Sequence, residues 1–224
     1  MSIPLIRLAD VDSTQAFLGR HPELGCCGVL ADAQTAGRGR GGNTWESAPG
    51  AGLWFSARLP VPAIGPGILL QRAMAAVIVA LEPCGVTLGL KWPNDLVAWR
   101  GDRLVKLGGI IGEMGRDSVT LGVGVNLADA PILPDRPIPP ASLVSLGGRN
   151  LPDRVRLAEE VLSRWQDLEH APEPAFRWPE TGDGIRWEGG QGTCLGWEED
   201  GRLRVDTEKG LELLSVGDVS GLRG

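Results

Sequence analysis

The chain has 224 residues, 42% of them hydrophobic and 22% charged. That is enough for one large domain, or for one domain with a small appendage, and it excludes global disorder. A net charge of −6 and a pI near 5.0 exclude nucleic-acid binding through a broad basic face, while leaving room for a local basic pocket.

Short apolar runs predict strands over residues 3–8 and 28–33, with Asp12-Ser13-Thr14 between them capping a helix that carries Phe17 and Leu18. Residues 34–45 fit no period, and Gly37, Gly39, Gly41 and Gly42 predict a mobile loop. A strand over 53–59 leads into a helix over 66–81 that is apolar all round and therefore buried. Further strands are predicted over 87–91, 96–99, 104–113 and 118–125, with Arg100-Gly101-Asp102 as a hairpin turn. Residues 128–141 are Pro-rich and irregular. Asp153 caps a helix over 154–170, with Val155, Ala158, Val161, Leu162 and Trp165 on one face. Acid and Pro over 172–179 predict a linker. Residues 182–224 hold four short alternating runs split by Gly turns, a small barrel that must pack on the main domain to be stable. The implied division is 1–175 and 182–224.

Four cysteines without CxxC spacing predict neither a disulfide framework nor a zinc site, and point to a reduced, cytoplasmic chain. The two histidines, His21 and His170, leave little material for a Ser-His-Asp triad or a His-rich metal site. The N-terminus lacks the pattern of a signal peptide. The longest apolar stretch, 68–81, is short for a bilayer and contains Gln71 and Arg72, so no membrane association is expected.

Four segments carry chemistry. Gly37-Arg38-Gly39-Arg40-Gly41-Gly42-Asn43 puts two guanidiniums on a glycine backbone, which suits a polyanion such as a triphosphate. On its own it also reads as a solvated linker or a weak RNA-binding patch, and it is not a P-loop. The basic residues are 19 Arg and only three Lys, Lys91, Lys106 and Lys209, so each Lys calls for a local reason. Lys91-Trp92-Pro93-Asn94-Asp95 places one of them at a strand end, where an ammonium can stabilise charge on a phosphoryl or acyl-phosphate group. It also reads as a plain strand-ending turn. Lys106-Leu107-Gly108-Gly109-Ile110 has two glycines inside an apolar strand, consistent with close approach of a ligand or backbone, or with a bulge. Gly122-Val123-Gly124-Val125-Asn126 is not a dinucleotide fingerprint, because a Pro-rich loop follows it instead of a helix. Asn126 can still read a purine edge through its amide.

Taken in order, Asp12-Ser13-Thr14, the run from Gln34 through the glycine loop to Thr44-Trp45, Lys91 to Leu96, Lys106 to Ile111, Gly122 to Asn126 and the tail Gly217-Asp218-Val219-Ser220 resemble the biotin protein ligases. The likeness covers nearly the whole chain. It implies an α+β fold: a mixed β-sheet packed with helices, like that of class II aminoacyl-tRNA synthetases, plus a small C-terminal SH3-like β-barrel. It also implies an enzyme that activates biotin with ATP as biotinyl-5′-AMP, then transfers biotin to a lysine of a biotin carboxyl carrier protein domain, as in acetyl-CoA carboxylase. Mg²⁺ would arrive with ATP.

The resemblance assigns roles by position. Ser13, Thr14 and Gln34 would bind the biotin ureido ring, with Gly37, Arg38, Gly39, Arg40, Lys91 and Gly109 completing the biotin site. Arg38, Arg40, Asn43, Trp45, Asn94, Lys106 and Asn126 would hold ATP, with Asn126 on adenine and Trp45 as a wall. Lys91, Arg40, Lys106 and Asp95 would be catalytic, the lysines neutralising carboxylate and α-phosphate oxygens. Asp95 would orient the acceptor lysine or take its proton. Asn43 stands where family members often carry Arg. The chain opens at the catalytic domain without the winged helix of the repressor-type members, so no DNA binding is expected. Members dimerise variably, which leaves a homodimer open. A lipoate or octanoate ligase of the same fold and a non-catalytic biotin- or nucleotide-binding regulator are the alternatives.

Overall fold

The computed structural model describes residues 3–133 and 136–222. Strand β1 (Leu5–Val11) runs into helix α1 (Thr14–Arg20), whose cap Ser13 accepts from the Ala16 N–H at 3.3 Å. Asp12 is tied down in turn. It accepts from Ser13 N at 2.8 Å and pairs with Arg20 at 2.7 Å, and these partners hold its carboxyl at about 2. Strands β2 (Cys27–Gln34) and β3 (Gly52–Pro60) precede helix α2 (Pro66–Leu81). Pro66 starts that helix, where its missing N–H costs nothing, and ten of its sixteen residues are buried. The segment Pro66–Cys84 is by length and composition alone apolar enough to cross a membrane, although the stretch 68–81 reads from the sequence as too short. Here it lies mostly buried in the core, which explains its all-round apolarity.

Strands β4 (Gly89–Lys91), β5 (Asp95–Arg100), β6 (Arg103–Met114) and β7 (Ser118–Asn126) follow, then helix α3 (Arg154–Trp165) and strand β8 (Arg177–Trp178). Gly101, at φ 63°, makes the β5–β6 turn as expected. The eight strands form one sheet in the order β1-β2-β3-β7-β6-β5-β4-β8, parallel at its two margins and antiparallel between.

Period-two alternation assigns the faces. Leu121, Val123 and Val125 of β7 point into the core beneath α2 and α3, so Gly122, Gly124 and Asn126 point the other way. Phe55 lies in the same core, its ring 5.4 Å from that of Trp165, while Leu18 of α1 packs with Cys27 and Val29 on the opposite side.

Two expectations fail here. Helix α3 stops at Trp165 and not at residue 170. Asp167 (φ −135°, ψ 60°) leaves the helical region, a separate 3₁₀ turn (Leu168–His170) follows, and Arg72 binds its carbonyls at Leu168 and Glu169. The stretch 172–179 is no free linker either. Strand β8 pairs parallel with β4, with Leu90 N donating to Phe176 O at 3.0 Å and Trp92 N to Trp178 O at 2.8 Å. Gly89 permits this, since a Cβ there would meet the Phe176 ring at 2.4 Å.

Strands β9 (Gly184–Trp187), β10 (Gly190–Trp197), β11 (Leu203–Thr207), β12 (Gly210–Leu214) and β13 (Ser220–Gly221) form a second, antiparallel sheet in the order β12-β11-β10-β9-β13. It has one strand more than the four runs predicted. Its core of Ile185, Cys194, Leu203, Val205, Leu214 and Val219 is completed by Trp92 of the main sheet. Trp92 Nε1 and Gln71 Nε2 both donate to Gly201 O, at 3.0 and 2.6 Å, so the small sheet is docked on the large one.

Candidate active site

A cleft of about 980 Å³ opens on the glycine-bearing face of the large sheet and is closed on one side by the small sheet. Its polar end begins at α1. Gln34 Oε1 accepts from Thr14 N at 2.9 Å and from Thr14 Oγ1 at 3.1 Å, while its Nε2 donates to Ser47 Oγ at 2.8 Å. Thr14 Oγ1 also lies 2.8 Å from Ser56 Oγ. Gln15 donates to Thr120 O at 3.1 Å, but its Oε1 is buried without a partner. Gly122 makes the room, because a Cβ there would stand 2.5 Å from that oxygen.

The glycine loop is not featureless. Trp45 N donates to Gly37 O at 2.9 Å, Arg38 bridges Thr44, and Gly39 N donates to Asn43 O at 2.7 Å. Gly41 and Gly42 turn the tip at φ 62° and 79°. The result is a tongue lying over the cleft. Its local pattern has no period because the turn is held by single bridges. Arg40 reaches across from the tongue: its Nη1 donates to Asn94 Oδ1 at 2.7 Å and its Nη2 to Gly217 O of the small sheet. Asn94 Nδ2 donates to Ile110 O.

Two ammoniums face two carboxylates below the tongue. Lys91, at the end of β4, is only 2% exposed. Its Nζ donates to Asp218 Oδ1 and lies 3.9 Å from Asp95 Oδ2. Lys106 Nζ stands 2.7 Å from Asp95 Oδ1 and 5.8 Å from the centre of the Trp45 ring. The surrounding cleft walls work against charge on Asp218 although its side chain is exposed, but Lys91, with Lys106 and Arg40 behind it, holds the carboxyl below the usual range. Both readings of Gly108-Gly109 hold. Leu96 pairs with Gly108 and Val97 with Lys106, so Leu107 is an extra residue on β6, a bulge; a Cβ on Gly108 would also meet Gly124 O at 2.5 Å.

At the far end Asn126 donates from Nδ2 to Ala141 O at 3.2 Å and keeps a buried Oδ1 without a partner. Trp45 lies against Gly124, where a Cβ would meet its Nε1 at 2.4 Å, and that Nε1 is also buried and unpartnered. The cleft thus combines hydrogen-bonding groups at both ends with fixed positive charge between them, a geometry that can bring two anions together.

The sequence profile of the Biotin/lipoate A/B protein ligase family matches residues 24–127. The chain is 34% identical over 218 residues to the biotin–[acetyl-CoA-carboxylase] ligase of Mycobacterium tuberculosis, covering 87% of this chain and 79% of that one. It belongs to the biotin protein ligase family. The bifunctional ligase/repressor BirA of Bacillus subtilis is 31% identical over 85% of this chain and 65% of its own length. Among solved structures, the biotin protein ligase from Aquifex aeolicus in complex with biotin and ATP superposes with a TM-score of 0.75 at 27% identity, covering 99% of both chains.

Of the residues singled out from this family likeness, Ser13, Thr14, Gln34, Arg38, Gly39, Arg40, Asn43, Trp45, Lys91, Asn94, Asp95, Lys106, Gly109 and Asn126 all line the one cleft. Gly37 does not. It sits at the base of the tongue, where a Cβ would meet Trp45 O at 2.3 Å, so glycine there serves the loop's closure. Sequence reasoning missed Gln15, Ser47, Ser56 and the pair Gly217-Asp218 as site residues. Ser56 had a signal, as a polar residue inside the apolar strand β3; Gln15 adjoins the flagged Ser13-Thr14. Asp218 had only the tail likeness, since it meets Lys91 across 127 residues of chain.

Proposed function

We propose that this cleft carries both half-reactions of an ATP-dependent biotin ligase. A carboxylate oxygen of biotin attacks the α-phosphorus of ATP, pyrophosphate leaves, and biotinyl-5′-AMP forms. The amine of a lysine on a carboxyl carrier protein domain then attacks the acyl carbon; AMP leaves with the bonding pair, the amine loses a proton, and an amide results. The observation that carries this reading is the convergence of Arg40, Lys91 and Lys106 on a cleft whose ends present a buried hydrogen-bonding network and an unpartnered amide acceptor.

In this reading Ser13, Thr14, Gln34 and Gln15 meet the ureido ring, the free Gln15 Oε1 accepting from a ureido N–H. Lys91, Lys106, Arg38 and Arg40 neutralise the carboxylate and phosphates, where preorganised charge acts without reorganisation. Asn94 holds Arg40, Asn43 shapes the tongue tip, and the Gly109 backbone borders the acyl chain. Trp45 walls the nucleotide, and Asn126 Oδ1 accepts from the adenine amine. Asp95 positions the two ammoniums; with each oxygen facing one of them, it is better placed for that than for taking a proton. Mg²⁺ enters as part of the ATP substrate, since Asp95 and Asp218 are engaged with lysines. The same proposal includes a cytoplasmic location and a catalytic unit over 1–175, extended by β8, with a C-terminal unit over 182–224.

A lipoate or octanoate ligase would leave the Gln15 acceptor unmatched, at about 1–3 kcal/mol for a buried polar group. Exchange of labelled pyrophosphate into ATP, run with biotin and with lipoate and no acceptor, tests the reading. Biotin-dependent exchange is expected; exchange with lipoate alone, or with neither acid, overturns it.

A further inference from the structure

The carboxylate seated on Lys91, that of Asp218, has no task in the reaction described above. Asp218 belongs to the small sheet's Gly217-Asp218 turn, yet its carboxylate rests on the buried Lys91 ammonium. The side chain is 74% exposed, so it enters from the open cleft and is not packed in place. The neighbouring Gly217 carbonyl holds the second key cation, Arg40. One turn of the small sheet therefore occupies two of the positive groups that the reaction needs for substrate anions. Gly217, at φ 121°, gives this turn a backbone that a side-chain-bearing residue rarely adopts.

We infer that Asp218 is a displaceable counter-anion: it fills the anion seat of Lys91 and is driven out when the substrate carboxylate arrives. This rests on the ligase reading above. A buried ammonium without a close partner is costly, and Asp218, nearer than Asp95, supplies that partner and holds Lys91 in position before substrate binds. The substrate carboxylate competes for that seat, because Lys91 already faces Asp95 as well as Asp218 and a third carboxylate adds like-charge repulsion. Asp218 is free to yield, since most of its surface already faces water and no other hydrogen bond among the described residues holds its carboxylate. The small sheet thereby acts on the first step through the charge of one side chain. It sets how much an anionic ligand must gain over the internal one.

Asp218→Asn removes the competing charge and keeps the side-chain size. Titration calorimetry is run on the full chain with biotin and with its primary alcohol analogue, which keeps ring and chain but carries no charge. Asp218→Asn is expected to tighten biotin about 10-fold, between the effects of exposed and buried pairs, and to change the alcohol by less than about twofold. Unchanged or weaker biotin binding in the variant overturns the inference, because Asp218 then does not compete. Equal tightening of both ligands overturns it too, since the turn would then be a steric plug. If the unsubstituted chain binds the alcohol and not biotin, or neither, the ligase reading fails and this inference with it.

Discussion

Replacing Lys91 by Met separates charge from packing at the centre of the cleft. Lys91 is 2% exposed, so its aliphatic stem is part of the buried structure and Met can fill nearly the same space. The ammonium has three charged or polar neighbours: Asp218, Asp95 Oδ2 at 3.9 Å and Trp92 O at 3.5 Å. Removing it leaves Asp218 in water and leaves Asp95 its closer partner, Lys106, at 2.7 Å. No carboxylate is stranded, so the melting temperature should shift little. The rate should not be spared. A buried cation aimed at developing phosphoryl charge is worth about 10²–10³ in rate, or ~3–4 kcal/mol. Biotin-dependent pyrophosphate exchange should fall by that factor in Lys91→Met, while thermal unfolding stays close to that of the parent. A near-normal exchange rate would remove Lys91 from the chemistry. A loss of activity matched by a large loss of melting temperature would make its role structural.

Arg40→Gly cuts both cross-cleft contacts of the tongue, to Asn94 and to Gly217 O, and should let biotinyl-AMP escape, so that lysines of unrelated proteins become labelled; labelling confined to the carrier domain would refute the lid role. Gly124→Ala places a Cβ 2.4 Å from Trp45 Nε1, so the indole must move; the KM for ATP should rise several-fold with biotin affinity unchanged, and an unaltered KM would take Trp45 off the nucleotide wall. Asp12 is held at about 2 against an ordinary 3.8, so its contribution to stability is complete above pH ~4 and fades as pH falls toward 2. Asp12→Asn should lose some stability at pH 6 and converge with the parent near pH 2. The effect is small because the pair is solvent-exposed, and equal differences at both pH values would contradict the assignment.

Local structure was legible wherever its cause lies within a few residues. The Ser13 cap, the all-apolar α2 with Pro66 at its start, the Asp153 cap of α3 and the alternation of Gly122, Gly124 and Asn126 with Val123 and Val125 are written in spacing and residue type. The motifs predicted a shared site, and fourteen of the fifteen residues named from them line one cleft. What spacing did not carry was pairing over long stretches of chain. β8 is a strand only because the edge of β4 offers it hydrogen bonds, which no periodicity in two residues can signal. The Thr14–Ser56 contact spans 42 residues, Lys91–Asp218 spans 127 and Gln71–Gly201 spans 130. Such contacts depend on how the sheets dock, through Trp92 in the second core and the close approach of Gly201 to Gly67, where a Cβ would stand 2.5 Å from backbone. Caps, periods and charges act locally, so most of the elements, and the candidate residues that meet in the cleft, were readable from spacing and residue type. Which carboxylate faces which ammonium follows instead from packing between segments that the chain holds far apart, as with Lys91 and Asp218.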